Sequence, residues 1–123
     1  MQYLLTIWVE EAKVAASSPE EMKAHAEAFA EFVKEVTDRG ILLSSAPLQP
    51  AAIATTVRVQ DGEVLTTDGP FVETKEQLAG YFVLECPDLD EAIDLASRIP
   101  AASAGSIEVR PVNEELRAMV HGE

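Results

Sequence analysis

Two stretches of sequence decide the fold: YLLTIWV at residues 3–9 and AGYFVLEC at residues 79–86. Both are rich in β-forming residues and nearly free of charge, which predicts a β-strand for each. Successive side chains of a strand point to opposite faces, so Tyr81 and Phe82 lie on different sides of the second strand. Because both faces are apolar, we expect these two strands to be central and covered on both sides.

Two amphipathic helices are also predicted. The segment SSPEE at residues 17–21 supplies an N-cap serine, a proline at the first helical position and a glutamate three residues after the cap. Gly40 is placed to end this helix, and Pro100 to end the second one, which Asp88 caps. The apolar residues predicted to face the core are Met22, Ala26, Phe29, Val33 and Val36 in the first helix and Leu89, Ala92, Ile93, Ala96 and Ile99 in the second.

The remaining segments are shorter. Residues 41–53 contain two prolines and predict an ordered connection with little regular structure. Residues 55–59 and 63–67 flank Asp61-Gly62 and predict a β-hairpin, because that pair tolerates the positive backbone angles of a tight turn. Residues 107–112 alternate as in a half-exposed or edge strand, and residues 113–119 predict a short terminal helix.

The element order β-α-β(hairpin)-β-α-β predicts an α+β fold, a ferredoxin-like split βαβ sheet with an inserted β-hairpin and both helices on one face. The second apolar face of the central strands then needs a cover, because exposing it costs about 25 cal/mol per Å². We therefore expect a homodimer formed through the open sheet face. The alternative is that residues 41–53 or the C-terminus fold over that face.

Composition bounds the class of protein. Residues 1–123 are expected to form a single domain, with residues 113–123 as a C-terminal extension. The chain has 22 acidic and 9 basic residues and a net charge of -13, which disfavours nucleic acid and membrane surfaces as partners. Solubility is the simpler explanation of this charge, which by itself gives only slight support to a cationic ligand.

The N-terminus and the cysteine content predict a cytoplasmic protein. Residues 1–10 lack the basic start and the cleavage site of a signal peptide, and their apolar run is too short to span a bilayer. Cys86 is the sole cysteine, so the chain has no internal disulfide and no thiolate metal site of its own. The sequence has no phosphate-binding glycine loop, nucleophile elbow or cofactor fingerprint, and we expect no cofactor.

The connection TTDGPFVETKE at residues 66–76 concentrates turn-forming, aromatic and ionisable residues. Pro70 fixes its own backbone and restricts Gly69, so Asp68 and Phe71 are held in defined directions. This density predicts a binding site. The charged residues that follow are either solvated or grip a polar ligand while Phe71 packs beneath it. These residues are Glu73, Lys75 and Glu76, of which Glu76 is favoured for a pocket and the other two for solvent.

Several segments together resemble the YCII-related family, in the subgroup named for its DGPF motif: DGPF at residues 68–71, ETKEQLAGY at 73–81, DEA at 90–92 and EVRPV at 108–112. The resemblance runs over essentially the whole chain as far as Val112. It implies a dimeric α+β barrel with a ferredoxin-like protomer. It further implies kinship with enzymes that act on small, often aromatic or chlorinated molecules through a His-Asp pair, and an association with sigma factors of the extracytoplasmic-function type.

The resemblance assigns that pair to Asp68, which lies in the motif, and to His25, the histidine on the first helix. An imidazole takes and returns a proton near neutral pH, and a carboxylate orients it. Each residue also has a purely structural explanation. His25 would hydrogen-bond to a backbone carbonyl, and Asp68 would be a turn carboxylate that accepts hydrogen bonds from nearby backbone amides. A metal site would require His25, Asp68 and Glu76 to converge, and we expect no metal.

We therefore predict a homodimer that binds a small molecule. As an enzyme it would carry out cofactor-independent elimination, isomerisation or hydrolysis, with His25 moving the proton and Asp68 orienting it. The alternative is a non-catalytic sensor or interaction module associated with an extracytoplasmic-function sigma factor.

Overall fold

The computed structural model describes residues 1–122. The strands within this range are β1 (Gln2–Val9), β2 (Leu42–Pro47), β3 (Thr55–Gln60), β4 (Glu63–Asp68), β5 (Gln77–Glu85) and β6 (Ser106–Pro111). The helices are α1 (Glu11–Ala15), α2 (Pro19–Asp38), α3 (Leu89–Ser97) and α4 (Glu114–His121). Short 3-10 turns occupy Ala51–Ile53 and Pro100–Ser103.

Four strands form an antiparallel sheet in the order β2-β5-β1-β6. The prediction that residues 3–9 and 79–86 form the two central strands is confirmed. Strand order and helix positions give a mixed α+β fold that is consistent with a ferredoxin-like protomer. Within residues 1–122, β3 and β4 pair only with each other and form a separate two-stranded ribbon.

Residues 42–47 correct one prediction, because they form an edge strand and not an irregular connection. A proline is tolerated at the end of an edge strand, and Pro47 is the last residue of β2. Pro50 lies beyond the strand and precedes the 3-10 turn at Ala51–Ile53. Strand β2, and not the β3–β4 ribbon, therefore takes the second-strand position of the split βαβ sheet.

The core lies between one face of the sheet and the helices α2 and α3. Its largest fully buried side chains come from the sheet, both helices and the segments next to them: Leu5, Leu84, Leu95, Ile99, Val36 and Cys86. The rings of Phe32 on α2 and Phe82 on β5 meet edge to face with centroids 5.2 Å apart. One sheet face is thus covered by helices of the chain itself.

The buried helix stripes differ in part from the prediction. Met22, Leu89 and Ile93 are about half exposed, at 56%, 48% and 51%, and Ala26 is also exposed. The residues that pack instead follow a strict i, i+3, i+4, i+7 spacing, at positions 29, 32, 33 and 36 in α2 and at 92, 95, 96 and 99 in and just after α3. Phe32 and Leu95 complete these stripes. Met22 lies two turns before the first packed residue of α2, and Ile93 lies beside the packed stripe of α3.

The opposite face of the sheet, here called the open face, carries Leu4, Thr6 and Trp8 from β1 and Tyr81 and Val83 from β5. All five are partly exposed. Residues 42–47 lie in the sheet and do not fold over this face. Helix α4 does not bury its own apolar side chains, since Met119 is 75% exposed. Within residues 1–122, no helix is long and apolar enough to cross a membrane.

The predicted capping box at the start of α2 is confirmed and makes stability depend on pH. The Glu21 N–H donates to Ser18 Oγ at 3.1 Å, and the Ser18 N–H donates to Glu21 Oε1 at 3.1 Å. Hydrogen bonding of the Glu21 carboxylate, with the Ser18 backbone first and with the Ser18 side chain second, lowers the pKa of Glu21. A lowered folded-state pKa stabilises the fold above the unfolded-state pKa and ceases to do so as pH falls through the folded value.

We therefore predict that Glu21→Gln destabilises the protein near neutral pH and that its difference from wild type shrinks as the pH falls below about 4.3. Urea unfolding across this pH range measures the difference. Glu20→Gln is the matched control, because Glu20 lies in the same first turn outside the capping box. A difference for Glu21→Gln that stays constant down to the acid limit would contradict the role of the capping box.

Candidate functional site

A cavity of about 920 Å³ opens at the end of the sheet where β1 and β5 meet the connecting segments. Four parts of the chain line it: Trp8 with residues 10–12, residues 48–56, residues 70–75, and Gln77 with Leu78. Apolar side chains predominate, and Trp8 and Phe71 are the aromatic ones in this lining. Cavities of this size and character typically hold small organic molecules.

The segment that contains the DGPF motif is anchored to the base of the β3–β4 ribbon. The Gly69 N–H donates to the Ala54 carbonyl at 2.6 Å, and the Thr56 hydroxyl donates to the Gly69 carbonyl at 2.9 Å. Gly69 adopts φ +95°, a conformation that L side chains rarely take. The turn therefore directs Pro70 and Phe71 into the cavity wall.

Two polar side chains tie three walls of the cavity together, and we call this network the Glu11–Gln77 brace. Both carboxylate oxygens of Glu11 accept from the Ala51 N–H, at 3.1 and 3.2 Å. The Glu11 N–H donates to Gln77 Oε1 at 3.0 Å, and Gln77 Nε2 donates to the carbonyls of Thr74 at 2.7 Å and Lys75 at 3.3 Å. The brace thus connects α1, the 3-10 turn at 51–53 and the loop before β5.

Charged side chains also stand in the lining. Glu10 Oε1 lies 3.6 Å from Lys13 Nζ and 3.5 Å from Lys75 Nζ. Both lysines are largely exposed, whereas the Glu10 side chain is only 22% exposed. The indole of Trp8 donates to Thr6 Oγ1 at 2.9 Å, which fixes its position on the open face.

The structure brings three of the six predicted site residues into this cavity: Phe71, Glu73 and Lys75. Glu76 lies outside the lining, and its Oε1 accepts from Ser106 Oγ at 2.7 Å. Phe71 is 75% exposed and forms part of the rim, where the sequence suggested a buried ring beneath the ligand.

His25 and Asp68 also lie outside the lining of this cavity. His25 is exposed on α2, where its ring packs against Phe29 with centroids 4.9 Å apart. Asp68 is the last residue of β4 and is exposed. Among residues 1–122 no hydrogen bond or ion pair joins His25 to Asp68. Their proposed pairing stays a prediction.

Sequence reasoning missed the other half of the site, namely Trp8, Glu10, Glu11, Gln77 and the segment 48–56. The available signal was the order of residues 8–11, a tryptophan near the end of a central strand followed by two glutamates. The end of a central strand places such residues at the end of the sheet, where the cavity lies. Nothing in the local pattern shows that residues 48–56 lie against that edge.

Other reactive groups are poorly suited to this site. Cys86 is buried in the core, and desolvation is the main cause that raises the pKa of its thiol. A raised pKa keeps the thiol protonated and unreactive. Within the part of the chain that the structure describes, no three His, Cys, Asp or Glu side chains converge in a way that could hold a metal ion.

Comparison with known proteins identifies the family. Residues 1–115 match the YCII-related domain. An uncharacterised protein of Rhizobium meliloti (strain 1021) is 38% identical over 114 residues, which cover 91% of this chain and 92% of that protein. The chain therefore belongs to the YCII-related family, as its sequence motifs predicted.

The solved structure of the 5-chloro-2-hydroxyhydroquinone dehydrochlorinase from Burkholderia phenoliruptrix AC1100, in complex with 2,5-dihydroxybenzoquinone, is similar to this chain. Its TM-score is 0.47 and its sequence identity 12%, and the match covers 92% of this chain and 94% of that one.

We predict that Gly69→Ala lowers the free energy of unfolding by about 1 kcal/mol or more, because alanine is strained at a positive φ. The space around the added methyl group is open, so backbone strain is the main cost. Gly40→Ala is a matched control, since Gly40 also has a positive φ and open surroundings but lies at the end of α2. Urea unfolding compares both variants with wild type.

Only Gly69→Ala should also change the fluorescence of Trp8, because Gly69 directs the loop that shares the cavity wall with this side chain. Identical emission spectra for the wild type and both variants would contradict the assigned position of the loop.

Proposed function

We propose that this protein binds a small, partly apolar organic molecule in the cavity between Trp8, the segment 48–56 and the loop 70–75. The cavity is the observation that carries the proposal. Its volume of about 920 Å³ is of the size that small-molecule sites occupy, and apolar walls with a few placed polar groups are their usual construction.

The finer family assignment is part of this proposal. We place the chain in the DGPF-motif subgroup, on the motif at residues 68–71. The conformation of Gly69 and the position of Phe71 in the cavity wall support a role for the motif in shaping the site. In this view the motif acts through its glycine, proline and phenylalanine, while Asp68 lies just outside the lining.

We further propose that two copies pair through the open face to give a dimeric α+β barrel. Leu4, Tyr81 and Val83 are apolar or amphipathic, central in the sheet and only partly buried. Trp8 belongs both to this face and to the cavity, so a partner copy on the open face would shield the mouth of the cavity from water. Pairing and ligand binding would then stabilise each other.

A catalytic role is a further step beyond binding. The His25–Asp68 pair is proposed as an acid-base couple on family resemblance. In the described chain neither side chain reaches the cavity lining. The proposed function is therefore ligand binding, which is compatible with an enzyme and with a cytoplasmic sensor alike. His25→Ala and Asp68→Asn test the couple: loss of turnover with unchanged binding would support it, and unchanged turnover in both would remove it.

The binding proposal is tested by titrating the purified protein with a panel of small aromatic and alicyclic metabolites. Trp8 is the only tryptophan of the chain and lines the cavity, so its fluorescence reports on occupancy. We expect a saturable change with at least one compound. Phe71→Ala should weaken the binding of that compound about fivefold, because a lost aromatic contact costs roughly 1 kcal/mol.

Met119→Ala is the matched control, because Met119 has the same exposed fraction of 75% as Phe71 but lies on α4. Met119→Ala should bind the compound with the affinity of the wild type. A panel without any saturable response, or equal affinities for Phe71→Ala and wild type, would contradict the proposed site.

The dimer is tested by sedimentation equilibrium at micromolar concentration. Wild type should sediment at twice the mass of the chain, whereas Val83→Lys should be a monomer because it places a charge on the open face. Ile93→Lys is the control, since Ile93 is about half exposed on the helical side of the sheet. A monomeric wild type would contradict pairing through this face.

A further inference from the structure

The charge of the cavity is uneven. Its ionisable lining residues are three carboxylates, Glu10, Glu11 and Glu73, and one ammonium group, Lys75. The other lining residues are uncharged and mostly apolar. An anion that enters this cavity would meet repulsion, whereas a cation would gain attraction within walls that exclude much of the water.

The three carboxylates are not equivalent. The Glu11 carboxylate already accepts a hydrogen bond from the Ala51 N–H. Glu73 is exposed on the loop. Glu10 differs from both, since its side chain is mostly buried and accepts no hydrogen bond from any residue in the range 1–122. A carboxylate that has lost much of its water without gaining a hydrogen bond is the strongest acceptor available to a ligand in this cavity.

The two cations near Glu10 are easily displaced. Lys13 and Lys75 are 73% and 84% exposed, and their Nζ atoms lie 3.6 and 3.5 Å from Glu10 Oε1. Because both ammonium groups are solvated and lie at the long end of ion-pair distances, holding either lysine at Glu10 costs side-chain entropy and gains little free energy. Lys75 can therefore return to water when another cation takes its place, and the exchange removes the one positive group from the lining.

Trp8 adds a second attraction for the same type of ligand. It stands in the lining near the end of β1, two residues before Glu10. The face of an indole attracts organic cations, and among aromatic side chains this attraction is strongest for tryptophan. Apolar residues such as Leu48 and Ile53 complete the lining and suit an apolar body.

We propose that the cavity selects an organic cation, a primary amine or ammonium ion carried on an apolar body, with Glu10 as its counter-charge and Trp8 as its aromatic contact. This inference rests on the proposed binding function and adds the chemical class of the ligand. The net charge of -13 adds a long-range attraction for cations that salt weakens.

Three probes of similar shape test the inference on the intact protein: 2-phenylethylamine, 2-phenylethanol and phenylacetate. They differ at neutral pH mainly in charge, which is positive, zero and negative. Each is titrated at low salt while Trp8 fluorescence is followed, with calorimetry as a second measurement. We expect the amine to bind about tenfold more tightly than the alcohol, and phenylacetate to bind most weakly.

Glu10→Gln locates the counter-charge, because it keeps the shape of the side chain and removes its charge. Glu10→Gln should remove most of the difference in affinity between the amine and the alcohol, and it should leave the affinity for the alcohol nearly unchanged. Glu27→Gln removes the same charge from an exposed position on α2 outside the cavity. Glu27→Gln should still bind the amine more tightly than the alcohol. The comparison of the two variants therefore distinguishes a local contact with Glu10 from an effect of net charge.

The outcomes distinguish this inference from the proposed function. If the alcohol binds as tightly as the amine, or if Glu27→Gln and Glu10→Gln lower amine affinity equally, the cation assignment is overturned while ligand binding stands. If none of the three probes and no compound of the metabolite panel binds, both are overturned. A preference for phenylacetate over the amine would also overturn the cation assignment.

Discussion

The pairing of β1 with β5 is the constraint on which the rest of the molecule depends. Both strands are apolar on both faces, and their antiparallel register sets Leu5 opposite Phe82 and Tyr3 opposite Leu84 in the core. The register shifts between Ile7 and Trp8, where β1 reaches the cavity. Irregularities of this kind redirect side chains near functional sites. The same pair of strands therefore builds the core on one face and sets the position of Trp8 on the other.

The cavity depends on contacts that are individually small. The Gly69 hydrogen bonds to Ala54 and Thr56 join the segments 48–56 and 70–75 at one end only. The rest of each segment would be free to move on apolar contacts alone, because each is an exposed connection with few buried side chains. The Glu11–Gln77 brace opposes this by satisfying backbone groups of both segments from the side chains of α1 and β5. Each such hydrogen bond contributes about 1 kcal/mol, so the walls are held but can still move to admit a ligand.

Local patterns predicted the parts of the fold that depend on local chemistry. The capping box of α2 and the two central strands follow from sequence periodicity and turn residues. Strand β2 was missed because Pro47 and two serines obscure a short edge strand whose partner is far away in the chain. Phe29, Val33 and Val36 of α2 pack as predicted, but Met22 and Ala26 are exposed, because periodicity does not show how much of a helix lies against the sheet.

The site was only half predictable for the same reason. Phe71, Glu73 and Lys75 belong to one conspicuous stretch, and sequence reasoning found them. Trp8, Glu10 and the segment 48–56 join them only through the sheet register and the brace, which connect positions that are distant in sequence. A pattern within a single segment cannot show such convergence.

The Glu11–Gln77 brace holds three separate segments together around one cavity. Hydrogen–deuterium exchange of Gln77→Ala tests it most directly, with Gln60→Ala on the ribbon as a control. We expect faster uptake in peptides from both 48–54 and 70–76 in Gln77→Ala, with residues 79–85 of the central strand unchanged. Faster uptake in 70–76 alone would contradict the claim, because the segments would then move independently.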